Sequence, residues 1–258
     1  RFFVQLEYDG TKYHGFQKQP TTRKTIQYCL DKALAKVANH KILTTCSGRT
    51  DAGVHALNQF VHFDTNSVRK IDSWIKGVNA NLPDDIAVKN FYKVDKDYHV
   101  RFDAISREYV YVIKNANTPH AIGFNNFLWF KKTLNIEKMK NAAKHLLGEK
   151  DFSAFRSSGC QSKSPIRKIT KAKIDKKGHY IYFSIKGNAF MLNMVRIIMG
   201  TLLNVGTNKI NVTDFKEIIK QKNRKKAGKT ISPKGLYFLG PEYNELNYTK
   251  EVILDELD

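Results

Sequence analysis

Two hydrophobic periods interleave along this chain, and their order is what most limits its fold. Phe3 to Tyr8 alternates, with Val4, Leu6 and Tyr8 on one face and Gln5 and Glu7 on the other, which predicts a strand. Thr25 then caps a predicted helix whose apolar residues Ile26, Leu30, Ala33, Leu34 and Val37 fall on one stripe. Strands are predicted at Ile42 to Cys46, around Gln59 to Phe63, and at Ile86 to Val94, with a short helix at Trp74, Ile75 and Val78. Glu108 to Ile113 reads as a strand, and Asn135 caps a helix that Gly148 stops. After the polar, irregular stretch Gly159 to Pro165 come strands at Ile166 to Ile174 and Tyr180 to Ile185, turning at Lys176-Lys177-Gly178. The most apolar helix is predicted over Phe190 to Val205, followed by a smaller one capped by Thr213. Neither strict βα alternation nor an all-β pattern fits. The order predicts an α+β protein of two similar-sized halves, residues 1–104 and 105–258. Glu245, Glu251, Asp255, Glu256 and Asp258 make an acidic tail.

Charge narrows the class of partner. Lys and Arg number 44 against 24 Asp and Glu in 258 residues, a net +20. Cations that neutralise phosphates release condensed counterions, so this excess points to a nucleic acid; a lysine-rich genome is the other source of such a balance. Cys29, Cys46 and Cys160 are odd in number and widely spaced, without CxxC, which fits a reducing cytoplasm better than a disulfide framework. No apolar run approaches the ~20 residues of a membrane span. No secretory leader is expected ahead of the first strand, and the start at Arg1 rather than Met suggests a few missing terminal residues.

The motifs that bind nucleotides or build metalloprotease and hydrolase sites (GxxxxGK[ST], GxGxxG, HExxH, GxSxG) do not occur, so a cofactor-free mechanism is favoured. The densest polar cluster is Ser47-Gly48-Arg49-Thr50-Asp51-Ala52-Gly53-Val54-His55, a tight loop between two strands. Taken alone, Asp51 reads more readily as a turn residue capping amides, with Arg49 paired to a neighbour. Asp51 and His55 also have the spacing of two metal ligands, without a third nearby. Tyr109 and Tyr111 share one strand face, either as a platform for unpaired bases or as core rings. Arg196 is a cation inside the apolar Met194 to Met199 run. It needs a carboxylate partner or a route to snorkel. Lys222, Arg224, Lys225, Lys226 and Lys229 form a basic run, phosphate-binding or simply solvated.

Together, Gly48 to Ala56 (GRTDAGVHA), Arg107-Glu108-Tyr109-Val110-Tyr111, Gly187 to Arg196 (GNAFMLNMVR) and Gly235-Leu236-Tyr237 resemble the TruA family of tRNA pseudouridine synthases. Glu7 to Gln17 and Val78 to Pro83 match as well, so the resemblance runs in order from about residue 2 to about residue 240. Phe16 stands where Trp is usual, and Ile231-Ser232 replaces a more familiar Ala-Pro. The resemblance implies two α/β halves with antiparallel-rich sheets flanked by helices and an active-site cleft between them. It implies a homodimer that isomerises uridine to pseudouridine at tRNA positions 38 to 40, without metal or organic cofactor. Asp51 would be the essential carboxylate, as nucleophile at C1′ or as base at the C2′ proton. Tyr109 would stack on the target base, Arg49 would hold the flipped nucleotide, and Leu236 would join the substrate-binding set. Arg196 would pair with the acid. Three alternatives remain: a non-catalytic RNA binder on the same scaffold, a metal-dependent RNA hydrolase using Asp51 and His55, and a relative with the same chemistry but different target uridines.

Overall fold

The structure, a computed structural model, describes residues 1–249, so Glu251, Asp255, Glu256 and Asp258 of the acidic tail lie outside the described residues. Ten strands and five α-helices make an α+β protein, as expected. None of these helices is long and apolar enough to cross a membrane. The described chain divides into two compact units. The first takes residues 1–107 and 237–249, and the second residues 108–236. Sequence alone assigns everything after residue 104 to the second half. The structure instead groups residues 237–249 with the first unit, where Tyr237 and Phe238 pair with His55 and Ala56.

In the first unit β1 (Phe2–Tyr8) lies antiparallel to both β3 (His55–Phe63) and β4 (Ile86–Lys93), with register shifts at Leu6/Tyr8 and Gln5/Leu6. The strand that returns, β10 (Leu236–Glu242), runs parallel to β3, with Tyr237 opposite His55 and Phe238 opposite Ala56. The predicted Ile42 to Cys46 strand shortens to β2 (Thr45–Cys46), which also pairs with β3. Helix α1 (Ile26–Ala38) begins where Thr25 Oγ1 accepts the Tyr28 N–H and buries Ile26, Leu30, Ala33 and Leu34, its apolar stripe. Helix α2 (Ile71–Asn79) packs on α1 and β4, and its Trp74 ring sits 5.6 Å from both Phe63 and Phe91.

In the second unit β5 (Ser106–Asn115), β9 (Tyr180–Gly187), β8 (Ile166–Lys177) and β7 (Gly148–Asp151) are neighbours in that order, and β6 (Leu128–Phe130) pairs with β5. Helix α3 (Ile136–Lys144) packs on β8, α4 (Met194–Gly206) and α5 (Val212–Gln221). The apolar character of α4 has a simple cause. Ile197, Ile198, Met199, Leu202 and Val205 are all fully buried, each contributing about 1.5–3 kcal/mol. Two starts differ from expectation. Asn211, not Thr213, caps α5, because its side chain and that of Asp214 exchange hydrogen bonds with each other's backbone N–H at 2.8 Å. Helix α4 begins at Met194 rather than Phe190, because Asn193 ahead of it is left-handed at φ 59°.

Candidate active site

The Gly48–Gly53 loop is held by its main chain. Ser47 N–H donates to Phe60 O at 2.8 Å, and Gln59 Nε2 to Gly48 O at 2.8 Å. Phe16 N–H reaches Thr50 O at 3.1 Å, Gly53 N–H reaches Tyr13 O at 3.3 Å, and Val54 N–H closes the turn on Asp51 O at 3.1 Å. Thr50 Oγ1 and the buried Tyr8 Oη are 2.7 Å apart. Two glycines permit this approach: a Cβ on Gly10 would lie 2.0 Å from Val54 O, and one on Gly15, already at φ +91°, 2.8 Å from Thr50 O. Asp51 is half-buried on this loop and Arg49 is exposed.

Directly after the loop, His55 is buried at the start of β3. Its ring stacks on Tyr237 at 4.7 Å, and its Nδ1 lies 3.1 Å from Asp9 Oδ1 and 3.2 Å from Gly10 N. One nitrogen cannot donate to a carboxylate and accept from an amide at once. The charged acceptor makes the stronger bond, so Nδ1–H donates to Asp9. That bond, helped by Thr11, holds the Asp9 carboxyl well below its ordinary range. The spacing of Asp51 and His55 therefore has another use than metal ligation. Among the described residues, no three His, Cys, Asp or Glu side chains are grouped to hold a metal ion.

The other predicted site residues lie in the second unit. Tyr109 is buried and meets Phe190 edge-on at 5.1 Å, whereas Tyr111 is a core ring whose hydroxyl donates to Ser232 O at 2.6 Å. Arg196 sits in the first turn of α4; its Nε donates to Ile231 O at 2.8 Å and its Nη1 to Asn193 Oδ1 at 2.6 Å. The Ile231 carbonyl is fixed by close backbone approach. A Cβ on Gly200 would lie 2.1 Å from Lys229 O, one on Gly228 2.6 Å from Gly200 C, and Gly228 N–H donates to Thr201 Oγ1 at 2.8 Å. Leu236 is buried, with its N–H on Pro233 O at 2.8 Å. It follows Gly235, where a Cβ would lie 2.2 Å from Val112 O. Of the basic run, Arg224 turns to Gly228 O and Thr230 Oγ1 and Lys222 lies 3.2 Å from Asp151, while Lys225, Lys226 and Lys229 are exposed.

Arg49 and Asp51 thus share one loop of the first unit; Tyr109, Arg196 and Leu236 belong to the second. Sequence reasoning missed the Asp9–His55 pair and the role of residues 227–233 in holding Arg196. Asp9 looked like a turn residue beside Gly10, and a backbone carbonyl acceptor leaves no mark in sequence.

A family model described as tRNA pseudouridine synthase matches residues 5–103 and 142–244. A protein named tRNA pseudouridine synthase A from Francisella tularensis subsp. holarctica is 43% identical over 252 residues, 98% of this chain and 97% of that protein. One of the same name from Francisella philomiragia is equally similar, 43% over 98% of the chain. A chain from a solved Cbf5-Nop10-Gar1 complex is 13% identical with a TM-score of 0.37, and the alignment covers 78% of this chain but only 45% of that one. The family match and the near full-length relatives settle the assignment, and the chain belongs to the tRNA pseudouridine synthase family.

Proposed function

We propose that this protein isomerises uridine to pseudouridine in the anticodon arm of tRNA, at positions 38 to 40, with Asp51 as the catalytic carboxylate. The observation that carries the reading is the 43% identity to tRNA pseudouridine synthase A across 98% of the chain. The geometry of the loop supports it, since a carboxylate that must meet a ribose carbon needs a fixed backbone. The reaction breaks the bond between uracil N1 and ribose C1′, turns the base, and joins C5 to C1′, while the C5 proton leaves and N1 gains one. Asp51 serves either by attacking C1′ or by removing the C2′ proton to give a glycal. Both routes need the ionised acid. Burial opposes ionisation and a guanidinium favours it, which is the part assigned to Arg196.

A uridine inside a stem must leave its stack, at a cost of a few kcal/mol. Stacking on Tyr109 and a contact from Arg49 offset that cost, and Leu236 lines the bound base. The +20 charge suits a polyanionic substrate, and a homodimer would extend the basic surface. The reaction is redox-neutral and hydrolysis-free, so it needs no cofactor. A cytoplasmic location follows from a tRNA substrate and three free cysteines. The test is incubation with unmodified tRNA, then chemical labelling to map pseudouridine, with wild type beside Asp51→Ala. Product from wild type alone, in the anticodon arm, is expected. Wild type without product would overturn the function, and product only elsewhere would overturn the target.

A further inference from the structure

The segment after the 3₁₀ turn Ser153–Phe155, together with the start of β8, carries two arginines, Arg156 and Arg167, that face no carboxylate. Arg156 Nη2 donates to Cys160 O at 2.9 Å and to Ser162 O at 2.7 Å. Arg167 Nη1 donates to Ser164 O at 2.9 Å and Ile166 O at 2.5 Å, and its Nη2 to Ser162 Oγ at 2.5 Å. Every one of these acceptors is neutral. Arg167 is only 8% exposed, and its Nε is buried without an acceptor among the described residues. A buried cation among neutral groups is costly unless an anion offsets it. Burial, with the neighbouring Arg156 charge, pushes the Arg167 guanidinium down, and only the Cys160 thiol opposes them. Arg156 also hydrogen-bonds the Cys160 side chain, so none of its partners is a carboxylate. The loop is therefore tied down by carbonyls and hydroxyls while two like charges stay together. Such wiring suits a planar, bidentate grip on a tetrahedral anion.

We propose that residues 156–167 form a phosphate site for the sugar–phosphate backbone of the RNA substrate, in which Arg156 grips one phosphate and Arg167 braces the loop and adds its charge. This rests on the tRNA reading above for the source of the phosphate. The chemistry fits a polymer contact, since phosphate contacts fix register without reading sequence. The site is also wired to Arg196. Asn193 Nδ2 donates to Ser157 Oγ at 3.3 Å, and Asn193 Oδ1 accepts from Arg196 Nη1 at 2.6 Å. A phosphate seated on this loop thus bears on the orientation of Arg196 through two hydrogen bonds.

The experiment measures binding of unmodified tRNA across a salt series for wild type, Arg156→Gln and Arg156→Lys, with thermal midpoints recorded for each. The glutamine keeps an amide donor for the loop carbonyls but removes the charge; the lysine keeps the charge but not the fork. Arg156→Gln should bind about tenfold more weakly, with a slope of log affinity against log salt about one unit shallower. Arg156→Lys should keep the wild-type slope. Wild-type affinity and slope in both variants would overturn the site. So would equal losses in both together with a lowered thermal midpoint, which would mark Arg156 as a loop brace only. Wild type that binds tRNA with these differences yet makes no pseudouridine would sink the enzymatic reading and leave the phosphate site standing.

Discussion

In the unit that carries Asp51, the main chain does the positioning. Amides of Phe16, Gly53 and Val54 are bonded across the loop, and Gly10 and Gly15 bring neighbouring backbone within contact distance. In the unit that carries Arg196, a side chain is positioned instead: one carbonyl, Ile231 O, and one amide, Asn193 Oδ1, set the direction of the guanidinium. Those two bonds orient the cation without cancelling its charge. The difference follows from size. A short carboxylate moves little once its backbone is fixed, whereas a long, flexible arginine must be caught at its tip.

Replacing the charged groups themselves tests the comparison most severely. Asp51→Asn is expected to lower single-turnover rates on the order of 10⁴-fold, and Arg196→Met about 10²- to 10³-fold. By the proposed pairing with Asp51, Arg196→Met should also move the acidic limb of the pH–rate profile upward, because losing a guanidinium raises the pKa of the carboxylate it pairs with. An unchanged limb and rate would separate the two residues functionally. The glycines come next. Gly10→Ala forces a Cβ to within 2.0 Å of Val54 O, and Gly228→Ala to within 2.6 Å of Gly200 C. Each should cost about 3 kcal/mol, read as a fall in thermal midpoint. A neutral Gly10→Ala would show that the loop gives way and would end the claim of main-chain positioning.

The smallest expected effect concerns pH and β3. His62 is buried, accepts the Val100 N–H on Nδ1 at 3.2 Å, and has its pKa pushed down from 6.5 to about 4. Burial is the main cause, with Arg1 and His99 adding to it and Asp64 opposing. The folded state thus favours the neutral ring. Its stabilisation is complete above the unfolded value near 6.5 and drains away as pH falls toward 4, by about 2 kcal/mol at pH 5. Amide exchange in β1 and β3 should accelerate over that window, and His62→Gln should flatten the dependence. An equal acid response in the glutamine variant would place the titration elsewhere.

How much of this was legible in sequence depends on where the cause lies. Local causes were readable: Thr25 and Asn135 announced α1 and α3, and the alternation from Phe3 to Tyr8 announced β1. The last strand was not, since Gly240 and Pro241 interrupt it and its partner β3 lies far away in sequence. The same holds for the site. Gly, Arg and Asp packed into one loop signal an unusual backbone, but only the family resemblance set Asp51 apart from an ordinary turn aspartate. One acceptor for Arg196, the Ile231 carbonyl 35 residues away, depends on the close contact of Gly200 with residues 228–229. Only the folded backbone reveals it.

Asn193 shows how few amino acids a position can admit. Its backbone, at φ 59°, filters the twenty candidates first, admitting glycine readily and Asn or Asp among the rest. Its side chain filters them again, since it must accept from Arg196 and bond to Ser157. Glycine has nothing to offer there, and aspartate, though it could accept from both Arg196 and the Ser157 hydroxyl, would offset the guanidinium's charge. Two unrelated demands intersect on one letter of the alphabet, so drift at residue 193 is barred even though it holds no reacting atom.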